Sequence, residues 1–248
     1  MSDHSEMKLG ALPMAQRKRV TLFRLADYVS LSTLPAPAAR TNWSSTVREF
    51  PMDGNDKIGD CVVAAAAHHD QVISKVAGRE YNAAERSVER IYYHLTGGPD
   101  VGLDPAVMFS YWQKTGLTTK HRLLAYARVD FNDEELLAVA GDLFAGYQAA
   151  VNLPITAQRQ DIWDTVALNG NGSPGSWGGH MIYVPDRNDG APYTCITWGG
   201  KKFLTRRFLV DYGELALVAI GSEWRTKTIR GFDLDHLLAD LEKVRAAN

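Results

Sequence analysis

Cys61 is the residue in this sequence best placed for covalent chemistry. It follows Gly59-Asp60 and heads the run Val62-Val63-Ala64-Ala65-Ala66-Ala67, which predicts a helix. Asp60 has the side chain of an N-cap, able to accept N–H groups of the first turn. Cys61 is then the first helical residue, inside the positive end of the helix dipole. That field favours thiolate over thiol, and the thiolate is the nucleophile. The plainer reading is a small apolar residue in a core. His68 and His69 fall about two turns further on and point about 100° apart. They cannot share a metal without a third element, so they read as structural or surface residues. No zinc-type Cys/His spacing, phosphate loop or dinucleotide fingerprint occurs. The expectation is a protein with no metal and no cofactor.

The bulk of the chain agrees with a soluble globular domain. It has 248 residues, 45% hydrophobic and 23% charged, with a formal net charge of -2. No basic excess points to nucleic acid, and no basic amphipathic stretch or long apolar run points to a membrane. Two cysteines, Cys61 and Cys195, make no disulfide framework, and a reduced pair is the simpler reading. The polar start Met1-Ser2-Asp3-His4-Ser5-Glu6 is unlike a secretory signal, so a cytoplasmic location is expected. Oligomeric state is left open.

The elements that must position Cys61 follow from periodicity and punctuation. Residues 1–34 read as an N-terminal arm or lead-in, its first 20 residues mobile and its Arg17-Lys18-Arg19 triplet a solvated face. A propeptide role is the sharper alternative for the lead-in. Helices are expected at 61–77, stopped by Gly78, and near 83–95, with Val88, Ile91, Tyr92 and Leu95 on one face. Further helices start at Pro105 and after an Asn132 cap backed by Glu135. After Gly146 the pattern changes. Tyr147–Leu153, His180–Val184, Tyr193–Trp198, a segment near 202–209 and Glu214–Ile220 read as short strands of an antiparallel meander. Residues 156–177 form a long loop, and a helix closes the chain from about Asp233 to Val244. The fold class is α+β: a helical part at about 55–146, a sheet part at about 147–222, and a cleft where they meet. The main domain spans 35–230, with 231–248 as a C-terminal helix.

In this order the motifs resemble those of the papain-like cysteine peptidase superfamily, over roughly residues 35–220. Pro37 and Asn42-Trp43 are similar to the family's lead-in. Asn55 stands six residues ahead of Cys61, where the family has Gln, and Gly59 two ahead. Gly97–Gly116 resembles the family's glycine-bearing loop, and Ala149–Leu153 its following strand. Gly179-His180-Met181-Ile182-Tyr183-Val184 resembles the strand opened by the catalytic His. Ile196-Thr197-Trp198-Gly199 is similar to Asn-Ser-Trp-Gly.

The resemblance implies a papain-like fold and a Cys–His hydrolase of peptide or protein substrates. His180 would take the Cys61 proton and return it to the leaving amine. The Cys61 N–H and the Asn55 amide would stabilise the oxyanion. Trp198 would shield the imidazole, and Gly59 and Gly179 would border the substrate. Three departures stand out. Ile196 occupies the place of the family's Asn, leaving Thr197, Asp186 or Asp189 to orient His180. Asp60 puts a negative charge beside the thiol, and Val62 replaces a Trp. Two functions remain: a hydrolase of peptide or isopeptide amides through an acyl-thioester, or a catalytically weak or inactive papain-like module for binding or assembly, phage- or secretion-related.

Overall fold

The computed structural model describes residues 3–17, 22–79, 81, 83–117, 121–222 and 232–246. Helix α1 spans Cys61–Val76, α2 Glu85–Thr96 and α3 Pro105–Lys114. Helix α1 is buried over nearly its whole length, because its small residues let the chain approach from every side. Ala77 caps it and Gly78 leaves it at φ 75°, the left-handed turn expected there. In α2, Val88, Ile91 and Tyr92 are buried and Leu95 is partly so. Pro105 opens α3 behind Asp104, whose carboxylate accepts the Ala106 N–H.

Strand β1 follows at Leu123–Val129, then α4 at Glu134–Leu143 and β2 at Tyr147–Leu153. The cap of α4 is Asp133, which accepts the Leu136 N–H, rather than the expected Asn132. The remaining elements are β3 (Ile162–Trp163), β4 (Gly178–Asp186), β5 (Tyr193–Thr197), β6 (Gly200–Leu204), α5 (Arg206–Tyr212), β7 (Gly213–Gly221) and α6 (Leu234–Ala246). The strands form one sheet in the order β1-β7-β2-β4-β5-β6-β3. Only β4-β5-β6 is the meander the sequence suggests. Strand β7 inserts between β1 and β2, and β3 pairs with β6 in parallel. Strand β1 had no sequence assignment, and α5 replaces the second half of the expected 202–209 strand. The Thr205 hydroxyl caps α5 by accepting the Phe208 N–H.

The sheet carries a core on each face. Ala149, Val151, Ile182, Val184, Ala216 and Val218 pack on one side with Phe208 and Leu237 of α5 and α6. Ala150, Met181, Tyr183, Ile196, Leu217 and Ala219 pack on the other with α1, α2 and α3. Two buried faces explain strands that read as nearly continuous apolar runs. His68 and His69 are both buried: His68 bonds the Pro51 carbonyl at 2.8 Å, and His69 stacks on Tyr183.

The N-terminal segment is not a free arm. The His4 N–H donates to the Gln158 carbonyl, Ala11 to Gly179 and Leu12 to Leu103. Arg17 is almost fully buried and pairs with Glu214, so it is no solvated face. Lys18 and Arg19 lie outside the described residues. No described helix is long and apolar enough to cross a membrane.

Candidate active site

Cys61 is the first residue of α1 and is fully buried. The helix is started by the Val63 and Ala64 amides, which donate to the Asp60 carbonyl at 2.8 and 3.0 Å. The Asp60 carboxylate makes no capping bond, contrary to expectation. It is buried instead beside Asp53 and Asn55. Burial, then the charge of Asp53, raise its pKa to about 8, with Asn55 opposing the shift. Burial also pushes the Cys61 thiol up to about 12. The amides of Met181, Gly10 and Ala11 lower it, and the charge of Asp60 raises it further. Cys61 therefore packs by Met181 of β4, the residue that follows His180.

His180 is fully buried, and burial lowers its pKa to about 3. Its Nε2 is 2.6 Å from the Thr197 hydroxyl oxygen. Trp198 stacks on the imidazole with centroids 4.5 Å apart and planes 22° from parallel. The opposite ring nitrogen, Nδ1, is buried without a hydrogen-bond partner among the described residues. No hydrogen bond therefore joins it to the Cys61 sulfur in this state.

Sheet register explains why Thr197 and not Ile196 serves the imidazole. Ile196 pairs with Tyr183 and packs with it on the α1 side. The next residue along a strand points the other way, as His180 does relative to Met181. Thr197 thus falls on the imidazole's face, and Trp198, at φ 45°, turns its ring back over the histidine. Asp186 is engaged elsewhere, accepting the Ser44 N–H at 2.9 Å, and Asp189 pairs with Arg187. Neither takes the orienting role the sequence left open to them.

Asn55 is buried, and its amide nitrogen has no hydrogen-bond partner among the described residues. It lies against Asp60, immediately before Cys61. Gly59 donates its N–H to Asp100 Oδ1 at 3.0 Å. The same oxygen accepts the Tyr92 hydroxyl at 2.5 Å, and that hydroxyl accepts the Gly102 N–H at 2.9 Å. One carboxylate thereby ties Gly59 to Gly102 across α2. Sequence reasoning passed over Asp100 and Tyr92, taking the first as part of a helix break and the second as an apolar face residue. It also passed over Leu9-Gly10-Ala11-Leu12, an apolar run inside a polar terminus that was the available signal.

That run lies between Gly59, Gly102 and Gly179. The Leu103 N–H donates to the Gly10 carbonyl at 2.7 Å, and the Trp198 indole N–H to the Lys8 carbonyl at 3.3 Å. His4 stacks on Trp198, with centroids 5.3 Å apart. The segment packs beside Cys61 against Gly59, Gly102 and Gly179 and lines an open pocket with them. No cluster of three or more metal-ligating side chains occurs among the described residues.

No protein-family model and no curated relative matches the chain. Solved structures do. Xylellain, a cysteine protease from Xylella fastidiosa, superposes with a TM-score of 0.69, covering 89% of this chain and 98% of that one at 10% identity. Digestive procathepsin L 3 of Tenebrio molitor larval midgut matches with a TM-score of 0.59 over 88% of this chain and 77% of that one, at 14% identity. The cysteine protease and lectin-like domains of Cwp84, a surface layer associated protein of Clostridium difficile, match with a TM-score of 0.59 and 10% identity. There the match covers 87% of this chain and 56% of the other.

The fold is papain-like.

The likeness is distant, and at these identities it establishes architecture alone. Within the papain-like frame, Cys61 heads the central helix, and His180, Thr197 and Trp198 come together from β4 and the end of β5.

Proposed function

We propose that the chain is a cysteine-nucleophile hydrolase of peptide or isopeptide amide bonds, with Cys61 as nucleophile, His180 as base and acid, Thr197 as the residue orienting it, and Asn55 as oxyanion donor. The supporting observation is the state of His180. One ring nitrogen is held by a hydroxyl, one face is covered by an indole, and the second nitrogen is buried and unpartnered on the residue next to Met181, whose amide acts on the thiol. A histidine kept only for packing has no need of an open ring nitrogen, since a buried polar atom without a partner costs about 1–3 kcal/mol.

In this reading Nδ1 takes the thiol proton and the sulfur attacks the carbonyl carbon. The oxyanion accepts from the Cys61 N–H and the Asn55 amide. As the C–N bond breaks, the imidazolium returns its proton to the leaving amine. Water, deprotonated by His180, then attacks the thioester, releasing the acid and restoring the thiol. Gly59 and Gly179 border the substrate, and Trp198 keeps water from the imidazole.

The test is hydrolysis of quenched fluorescent peptides by the full chain and by Arg17→Glu, which loses the Glu214 anchor of the N-terminal segment. In Cys61→Ser the rate is expected to fall by about a thousandfold or more. A Cys61→Ser chain as active as its parent overturns the assignment. The missing sulfur–imidazole hydrogen bond and the N-terminal segment packed beside Cys61 favour a second reading, a binding or assembly module. It predicts no hydrolysis in any of these chains and unchanged partner binding in Cys61→Ala.

A further inference from the structure

The buried loop that leads into α1 holds four carboxylate oxygens, those of Asp53 and Asp60, and none has a hydrogen-bond partner among the described residues. Asp60 folds its side chain back over the turn. A Cβ placed on Gly54, the neighbour of Asn55, would lie 3.5 Å from Asp60 Oδ2 and 3.1 Å from Oε1 of Glu89 on α2. His68 of α1 reaches the same loop, its Nε2 3.3 Å from Asp53 Oδ2. Asp60 therefore faces Asp53 and Asn55 from its own loop, Glu89 from α2 and the thiol of Cys61 from α1, with His68 beyond Asp53.

Asn55 lies inside this cluster. It is close enough to act on Asp60, yet its buried amide nitrogen makes no hydrogen bond among the described residues. An ionised carboxylate accepts a hydrogen bond about twice as strong as one between neutral groups, so an ionised Asp60 would hold that amide. Burial and the charge of Asp53 raise its pKa to about 8, so Asp60 carries its proton at neutral pH. Protonated, it has an O–H to donate, and the Asp53 carboxylate whose charge acts on it is the acceptor at hand. The Asn55 N–H is then left without a competing anion.

We propose that Asp60 is a positioning residue that sets the Asn55 amide by its own proton: protonated, it leaves the amide N–H to the oxyanion, and ionised, it captures that N–H and withdraws the donor. This rests on the reading of Asn55 as oxyanion donor and names the group that governs it. Removing one such donor lowers kcat by about a hundred- to a thousandfold, so its capture has a measurable effect.

The experiment has two readouts on the full chain. One is kcat on a quenched fluorescent peptide from pH 6.5 to 9.5. The other, which needs no turnover, is the Asn55 side-chain amide signal in proton–nitrogen NMR of chain isotope-labelled at asparagine, assigned by its loss in Asn55→Ala. In the wild type kcat is expected to fall at least tenfold from pH 7.5 to 9.5, and the Asn55 signal to shift over the same range. Cys61, at about 12, and His180, at about 3, do not titrate there. Asp60→Asn is expected to abolish both changes. Asn55→Ala separates the amide from a direct effect of the Asp60 charge on Cys61: its lower residual kcat is expected to lose the alkaline fall. A fall that persists in Asn55→Ala or in folded Asp60→Asn overturns the inference. So does an Asn55 signal that stays fixed with pH, a result that needs only the wild type should Asp60→Asn fold poorly. A signal that titrates in a chain that cleaves nothing overturns the hydrolase reading and leaves the proton-set amide standing.

Discussion

The Thr197 hydroxyl oxygen lies 2.6 Å from Nε2 of His180, and Trp198, the next residue, stacks on the same ring. Two consecutive residues thus set both the rotation and the cover of the imidazole. The hydroxyl can donate or accept, so it serves the neutral ring and the imidazolium alike.

Replacing Thr197 by Val removes that partner while keeping the shape. A hydrogen bond of this kind contributes about 1 kcal/mol net, so kcat/KM is expected to fall about five- to tenfold. Thr197→Ser is expected to restore it. The pH–rate profile separates positioning from packing: in Thr197→Val the limb reporting His180 should move, whereas a packing defect would lower the rate evenly. An unmoved profile would remove Thr197 from the site.

Asp60 makes a different prediction. Its pKa is raised by burial and by Asp53 to about 8, from an ordinary value near 3.8. The folded chain therefore holds a proton that the unfolded chain gives up. This group's contribution falls as pH rises between those values, by up to about 1.4 kcal/mol per unit. Asp60→Asn lacks the ionisable group and is expected to unfold at a higher denaturant concentration than the wild type at pH 8, with the advantage shrinking toward pH 4. Parallel curves for the two chains across that range would count against the buried-acid assignment.

The docking of the N-terminal segment should respond to acid. His4, stacked on Trp198, has its pKa lowered by burial and by Lys202, with Asp3 opposing. His180 beneath the same indole is lowered by burial. Both prefer to be neutral while the segment is seated, so docking is strongest above the ordinary histidine value of about 6.5 and weakens below it. Tryptic cleavage after Lys8 in the intact chain is expected to accelerate as pH falls from 7.5 to 5.5, after correction for the protease's own pH dependence. His4→Gln should flatten part of that rise. A cleavage rate independent of pH would detach these histidines from that docking.

Much of the architecture was readable along the chain. The limits of α1 and β2, the Pro105 start of α3 and the run of strands after Gly146 follow from caps, glycines and periodicity. Strand β1 escaped because Leu123–Val129, with two alanines and a helix-rich neighbourhood, has little strand signal. Its partner, β7, lies at the far end of the domain. Helix α5 escaped because seven residues carry almost no helical period and its stop is set by entry into β7. The cap on α4 slipped by one residue, since Asn132 and Asp133 are equally suited and only the turn at Asp130 selects between them.

From residues alone came the helix-heading cysteine, the histidine that opens an apolar strand, and the tryptophan before a glycine, because each is announced by its immediate neighbours. Three matters lay beyond local pattern. Sheet register chose the hydroxyl of Thr197 over Ile196, loop packing turned Asp60 away from the helix it precedes, and chain crossing laid Gly10 against Gly59. Strand facing, burial of charge and contact between distant backbones arise only when separated segments share space, so no stretch of sequence could carry them by itself.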